Sequence, residues 1–423
     1  MGQENTNTPQ TAQSQPSQAS FVNGDSAMAR KLRAPGKYYA FVVTYIVMLS
    51  ALGSFMNDMY SPALPAMCKF FSCSVSTVQM GITMGMIGLA LGQLVLGPLS
   101  DRYGRRPVLV ASASLFIVSA TVSIFSPTIE FFVTCRLFQG LGASGGYFLA
   151  RTIPADVYTG RGLAKLMALT GAINGVAPAS APVIGGVTAD AFGWKGIFVV
   201  LIIYAIIVLA LSPMMKESLA PDARYKGQWW KAFKGYIVLL RNKPFQAHTI
   251  VKGLTLGLLF AYVSSAPFIL ETHYGLSQTV YGLVIGANSV FVALGSMVAL
   301  KFRPLKKATH FGSIILGVAV GAQALALFYI HSIWVYEICA MAMLFAMGLI
   351  FTCSNTLAMN EGRERAGEAS ALLGVAGYIV GAIAAPCVGI GNLLHATAIT
   401  FVVLTALIFI FAVISYRLAP DLK

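Results

Sequence analysis

Very few side chains in this sequence can carry a charge or a proton through an apolar environment, and two of them sit in strings that imply chemistry. Asp58 lies in Asn57-Asp58-Met59-Tyr60-Ser61-Pro62, toward the end of the first long apolar run. Arg136 opens the string Arg136-Leu137-Phe138-Gln139-Gly140 in the fourth. An ionised group at the centre of a hydrocarbon layer costs at least ~2.5 to 3.5 kcal/mol, so such a residue calls for a reason. Arg136 falls ~10 Å below the outer surface at helical rise, a depth comparable to that of Asp58. A carboxylate beside a guanidinium whose separation or hydration changes is expected to load and release a proton. Proton and passenger would then exclude one another. The structural alternatives are a satisfied cap near Pro62 for Asp58 and a static buried pair for Arg136.

Other strings are mechanical rather than protonic. In Gly97-Pro98-Leu99-Ser100-Asp101-Arg102-Tyr103-Gly104-Arg105-Arg106-Pro107, glycine and proline end one helix, Gly104 permits a tight turn, and Pro107 suits the first turn of the next. Asp101 is expected to accept hydrogen bonds from unpaired amides, and Arg102, Arg105 and Arg106 to clamp acidic or carbonyl partners, forming a cytoplasmic latch between two halves of the molecule. A plain topological anchor is the alternative. Gly81, Gly85, Gly88 and Gly92 share one stripe of the second helix at ~100° per residue. Gly171, Gly175, Pro178, Pro182, Gly185 and Gly186 fall within about a third of the circumference of the fifth, predicting a flat, bendable seam that slides or seals. Asn57, Tyr60, Met84, Tyr147 and Tyr262 are candidate walls of a substrate cavity.

Lys252 is expected to snorkel to the cytoplasmic face, and Glu130, Asp190, Glu271 and Glu337 to sit near outer helix ends. Of these, Glu337 merits testing first. The five histidines have no metal-like spacing, so neither a metal nor a cofactor is expected. Cys68 and Cys73 share the first outer loop, where a disulfide is one of two open outcomes.

The elements that must position these residues follow from composition. Of 423 residues, 57% are apolar and 10% charged, with mean hydropathy +0.74. Soluble domains carry about 25% charge, so a water-soluble globule is excluded. Apolar runs of roughly 18 to 25 residues recur, each able to cross ~30 Å of hydrocarbon. Twelve are expected, near residues 40–62, 77–99, 107–126, 129–151, 165–189, 195–213, 247–270, 278–300, 311–330, 333–357, 368–390 and 395–417. The fold class is therefore an all-α polytopic membrane protein of two six-helix bundles, 39–213 and 247–418. Residues 1–38 read as a disordered cytoplasmic tail rich in Gln, Asn, Ser, Thr and Pro, with no removable signal peptide, and 419–423 as a second cytoplasmic tail. Residues 214–246 form the inter-half linker, whose KGQWWKAFKGYIVLL stretch suits a helix at the headgroup boundary.

All but four of the 29 basic residues, the exceptions being Lys69, Arg136, Lys195 and Lys252, fall in the tails and in loops that lie on one side. Basic residues accumulate on the cytoplasmic side, which places both termini there. The net charge of +14 then reflects topology and anionic lipids, not nucleic acid.

GPLSDRYGRRP resembles the loop signature of the major facilitator superfamily, and Asn57-Asp58-Met59-Tyr60-Ser61-Pro62-Ala63-Leu64-Pro65 is similar to the first-helix signature of its bicyclomycin-resistance/CflA-type drug exporters. Arg136-Leu137-Phe138-Gln139-Gly140-Leu141-Gly142-Ala143 resembles the fourth-helix signature. Ala177-Pro178-Ala179-Ser180-Ala181-Pro182-Val183-Ile184-Gly185-Gly186 resembles the fifth-helix antiporter signature in its doubled-proline form. Ser264-Ser265-Ala266-Pro267-Phe268 and the stretch from Ala366 to Gly374 fit the same family. The likeness runs from about residue 40 over nearly the whole chain. Departures are the Val176-Ala177 pair between Gly175 and Pro178, Ala155 where a basic residue is expected, and a second-half loop, Lys301 to Lys307, without a Gly-Asp core.

The resemblance implies a twelve-helix rocker-switch fold and export of small, apolar or cationic drug-like molecules against protons, from a monomer in a bacterial cytoplasmic membrane. No GxxxxGK[ST] loop occurs, so a gradient rather than a nucleotide is the expected energy source. A transporter, not an enzyme, is expected; an importer or metabolite facilitator on the same fold, and a transport-inactive sensor or scaffold, are the alternatives.

Overall fold

The structure is a computed structural model and describes residues 37–158, 160–224, 233–299, 301–302, 304–330 and 332–418. Most of the expected tail at 1–38, the expected tail at 419–423, and residues 225–232 of the linker lie outside the described residues. The helices are α1 (Lys37–Asp58), α2 (Val75–Tyr103), α3 (Arg105–Ile124), α4 (Ile129–Val157), α5 (Gly160–Leu211), α6 (Phe233–Arg241), α7 (Lys243–Pro267), α8 (Gln278–Ala299), α9 (Leu305–Leu325), α10 (Ile333–Glu361), α11 (Ala366–Cys387) and α12 (Leu393–Leu418). A 3-10 turn, Ser61–Ala63, and a short helix, Leu64–Phe70, continue α1. No strand occurs among the described residues.

Among the described residues ten helical stretches are long and apolar enough to cross a membrane, against twelve expected, and both differences have a physical origin. α4 has 29 residues, ample length, but Arg136, Gln139 and its glycines dilute its apolar character. The expected fifth and sixth segments are joined in α5, whose 52 residues would extend ~78 Å if straight, far beyond a bilayer. The helix instead breaks at Gly193, where φ 68° and ψ −177° suit a residue without Cβ.

Helix starts follow local chemistry. Ser74, Thr128 and Asn242 cap α2, α4 and α7 by accepting hydrogen bonds from the amides of Thr77, Phe131 and Phe245, satisfying donors the first turn leaves free. In the first half, α2 and α3 pack on α4, and α1 on α5; in the second, α7 packs on α11 and α12, and α8 and α9 on α10. The halves meet chiefly where α5 faces α8 and α2 faces α11. Each half has its own apolar core, one around Met56, Phe116, Phe132 and Phe198, the other around Leu258, Tyr281, Met343 and Phe401. Large apolar side chains also cover the exterior, among them Val118, Met297, Val318 and Ile383, as lipid rather than water requires.

The described part of the linker includes the helix α6. On α6, Leu239 is buried while Ile237, Val238 and Leu240 are exposed. Tyr236 on the same helix has its phenol pushed up chiefly by burial, with Glu368 of the second half and Asp101 of the first adding to the effect.

Candidate functional site

Arg136 is fully buried on α4, and its guanidinium is saturated. Nε donates to the Gly81 carbonyl at 3.3 Å, Nη2 to the Met56 carbonyl at 2.9 Å and more weakly to Asn57 Oδ1 at 3.4 Å, and Nη1 to Gln139 Oε1. Its Cζ lies 4.3 Å from the centre of the Tyr60 ring. The Met56 carbonyl belongs to the last turn of α1, where carbonyls lack intrahelical partners, so the cation also closes that helix end. Room for it comes from glycine: a Cβ on Gly81 would stand 3.2 Å from Phe132 and one on Gly85 3.1 Å from Arg136 Nη2. Further along the same stripe, a Cβ on Gly88 or Gly92 would overlap Leu137 or Ser144 of α4. This stripe is thus a packing face within the first half.

Asp58 ends α1 and is 9% exposed. The expected ion pair with Arg136 does not form: among the described residues the Asp58 carboxylate has neither an ion pair nor a hydrogen bond. The guanidinium points instead at α2 and at backbone oxygens one turn earlier. The Asp58 carbonyl accepts the Ser61 hydroxyl at 2.8 Å, and Ser61 Oγ lies 3.2 Å from the Tyr281 hydroxyl of α8, so the neighbourhood of Asp58 reaches into the second half. Tyr60, Tyr281 and Tyr378 are titratable groups that interact with Asp58 electrostatically.

The latch string folds back on its own half rather than bridging the two. Arg105 reaches Asp101 at 2.6 Å and Asp156 of α4 at 2.8 Å. Glu217, in the linker, accepts the amides of Arg105 and Arg106 at 2.8 and 3.1 Å and so caps α3. Gly104 has φ 103°, and a Cβ there would stand 2.7 Å from Glu217 Oε2. Arg102 is exposed, 5.6 Å from the Tyr103 ring centre, and Gly97 is in ordinary contact with Phe148. Nothing in the spacing of the string points to Glu217 or Asp156, which are brought in by tertiary contact alone.

The seam on α5 lies at the inter-half contact. A Cβ on Gly185 would overlap the Met59 carbonyl and one on Gly186 the Gln278 carbonyl, while Gly282 of α8 sits against the Pro182 carbonyl. Pro178 is half-buried; Gly171 and Gly175 are on the same helix, but their surroundings lie outside the described residues. Of the expected cavity walls, Asn57 and Tyr60 are buried around Arg136 and Tyr262 is buried in the second half, while Met84 and Tyr147 are half-buried.

Two residues expected at the interface are buried instead. Glu337 of α10 is 8% exposed and accepts from Asn288 Nδ2 at 2.7 Å, which also contacts the Tyr262 hydroxyl at 2.8 Å. Lys252 of α7 is likewise 8% exposed, its ammonium 5.2 Å from the Phe351 ring centre. Neither snorkels: the Glu337 carboxylate is turned to Asn288 of α8 and the Lys252 ammonium to Phe351 of α10. Glu130 and Asp190 are exposed and Glu271 is half-buried. Cys68 and Cys73 are free thiols, Cys68 Sγ donating to the Cys73 carbonyl at 2.7 Å; burial pushes the Cys73 thiol up to about 11.

Hydrogen bonds between the halves gather at the end of the bundle opposite the Gly97–Pro107 loop. Gln79 donates to the Ser264 carbonyl at 3.1 Å, Thr83 to Ala382 at 2.9 Å and Ser76 to Pro386 at 3.2 Å. Asp190 Oδ2 accepts from the amide and hydroxyl of Thr279 at 2.9 and 2.5 Å. Among the described residues no cluster suited to a metal ion is present.

Comparison with known proteins agrees with this architecture. A B. subtilis (strain 168) protein, the uncharacterised MFS-type transporter YdgK, is 34% identical over 90% of this chain and 94% of its own. The multidrug resistance protein MdtL of Shigella dysenteriae is 28% identical over 75% of this chain and 81% of its own. Among solved structures, a partially occluded, inward-open form of the xylose transporter XylE from E. coli superposes with a TM-score of 0.72 at 15% identity, covering 91% of this chain and 99% of that one. A bacterial homologue of the lysosomal transporter Spinster, inward-facing and occupied, gives 0.70 at 15% identity over 91% and 97% of the two chains. The sequence profile of the Major Facilitator Superfamily matches residues 46–386, and the chain is a member of that superfamily, a multi-pass membrane transporter and not an enzyme.

Proposed function

We propose that this protein is a proton-coupled secondary transporter that exports small drug-like molecules by alternating access, with twelve spans and both termini on the cytoplasmic side of a bacterial cytoplasmic membrane. The two further spans are α4 and the second limb of α5. The observation that carries the coupling is the unpaired Asp58 carboxylate. Arg136 is held by Gly81, Met56, Gln139 and Asn57, so it neither neutralises Asp58 nor moves freely. Its role is to fix the end of α1, while a buried carboxylate without a partner responds to each change of hydration as the halves rock. The inter-half hydrogen bonds at one end describe a state closed there, and the resemblance to a multidrug resistance protein supports a drug-like cargo. A 100 mV potential supplies ~2.3 kcal/mol per charge, equivalent to about a fifty-fold concentration ratio.

The test uses inside-out vesicles containing the full chain. Adding ethidium should alkalinise an acidified lumen, and Asp58→Asn should abolish uphill accumulation while ethidium binding to the detergent-solubilised protein persists. Undiminished uphill transport by that variant removes Asp58 from the mechanism. Cargo flux without proton movement points to a facilitator, and no flux for any cargo to a sensor or scaffold.

A further inference from the structure

The coupling scheme leaves Lys252 without a use, yet an ammonium nine-tenths removed from solvent is costly unless something answers its charge. Among the described residues no carboxylate pairs with it, and its ammonium lies over the Phe351 ring of α10, 5.2 Å from its centre. The charged group that does act on Lys252 is another cation, Arg151 of α4. Among the described residues Arg151 has no acidic partner either: its Nη2 donates to the Tyr147 hydroxyl at 2.5 Å, and its Cζ lies 4.4 Å from the centre of that ring. Tyr147 in turn interacts with the Tyr378 phenol of α11, and Tyr378 stacks against Phe260 with ring centres 6.0 Å apart.

One cation from each half therefore faces the other across an aromatic-lined contact. Arg151 lies ~22 Å along α4 from Arg136, toward the end of the bundle that carries the Gly97–Pro107 loop, and Tyr378 stands between this contact and the Asp58 region, interacting with both Tyr147 and Asp58. Two like charges in a medium of low dielectric repel. A bridging anion relieves that repulsion and gives both cations a partner at once. It also draws the halves together at the end that lacks the Gln79, Thr83 and Ser76 hydrogen bonds.

We propose that Arg151 and Lys252 together form a binding subsite for the acidic group, carboxylate, sulfonate or phosphate, of an otherwise aromatic cargo, with Tyr147, Tyr378 and Phe351 against its rings. The assignment rests on the transporter reading above and extends its cargo to acid-bearing aromatic molecules. An acidic group does not compete with a proton for Asp58. Coupling then runs through closure of the halves around the bridged anion, and exchange of an anion for a proton moves net charge.

Equilibrium dialysis of the detergent-solubilised full chain against 2-naphthoate, 2-naphthamide and 2-naphthylmethylammonium, at low ionic strength, separates head-group charge from ring fit. Naphthoate is expected to bind at least tenfold tighter than the other two. Lys252→Gln should abolish that preference while leaving the amide within twofold, and Lys252→Arg should retain most of it. No naphthoate binding, equal affinities, a preference for the ammonium, or an unaltered naphthoate affinity in Lys252→Gln overturns the proposal. A second measurement guards against misfolding: Lys252→Met removes an unanswered charge, so its thermal midpoint without probe should rise, and naphthoate, which raises the wild-type midpoint, should leave it unmoved. A lowered midpoint identifies Lys252 as a packing residue and overturns the proposal. Displacement of naphthoate by equimolar phosphatidylglycerol assigns the site to a lipid headgroup and does the same. The two readings fail separately. Naphthoate binding without proton movement in vesicles ends the antiport reading and spares this site; ethidium-driven proton movement without naphthoate binding does the opposite.

Discussion

Arg136 and Asp58 are two residues apart in role because of what each can reach. A guanidinium presents five donors in a rigid fork, and here three helical turns supply the matching oxygens. Lysine at position 136 has a flexible stem and a compact ammonium, and cannot meet the carbonyls of Gly81 and Met56 together with Gln139 and Asn57. Arg136→Lys should therefore leave at least two buried acceptors unmet at about 1–3 kcal/mol each. The expected outcome is a thermal midpoint in detergent lowered by several degrees with cargo affinity reduced in parallel; an unchanged midpoint would show that the fork is not what holds α1. That Asp58 and Arg136 stand out as ionisable groups was legible from their rarity among apolar neighbours. That they do not pair was not, since the direction in which a side chain leaves a buried helix depends on which neighbour offers it room.

At the scale of elements, the Gly97–Pro107 string shows how a loop gains meaning from its surroundings. Its helix-stop, tight turn and helix-start are local chemistry, and α2 and α3 meet at Gly104 as the residues require. Its partners are not local. Glu217 supplies the carboxylate that caps α3, an anion at the positive end of a helix and a tie between the linker and the first half. Glu217→Ala should lower the thermal midpoint, in line with loss of a cap at about 0.5–2 kcal/mol, and slow turnover measured as kcat while cargo Kd stays within twofold. A destroyed Kd at normal kcat would contradict a mechanical role for this corner. On α5, the glycine and proline seam was readable as a flat face from period alone. Its placement against Met59 and α8 needed the fold, because a smooth helix face packs equally well on several partners.

For the molecule as a whole, one end of the contact between the halves combines the apolar packing of α5 on α8 and α2 on α11 with a handful of hydrogen bonds. Each such bond contributes about 0.5–1.5 kcal/mol, so losing one shifts an open-to-closed ratio by roughly two- to twelve-fold. Asp190 accepts two of them from Thr279. Asp190→Ala removes both, so in a chain whose native cysteines are replaced and Met86→Cys introduced it should raise the labelling rate of that buried cysteine by a membrane-impermeant thiol reagent added from outside by roughly five- to 160-fold. A rate that does not change would remove Asp190 from the gate.

The sequence by itself determined the solvent, the class and most of the elements. A chain with 10% charge and recurrent apolar runs has no stable arrangement except helices in a bilayer, and caps, prolines and glycines act within a few residues of where they stand. It also led to the expectation of twelve spans, where length and hydropathy count ten among the described residues, because one helix buries an arginine and two others run together through Gly193. Only the tertiary structure decided which buried charges are answered and which are not. Arg136 finds backbone oxygens, Arg105 finds Asp156, Glu337 finds Asn288, and Asp58 and Lys252 find nothing of opposite charge among the described residues. Those pairings join residues up to 80 positions apart, and the helix packing that sets them obeys volume and shape, which no spacing along the chain encodes.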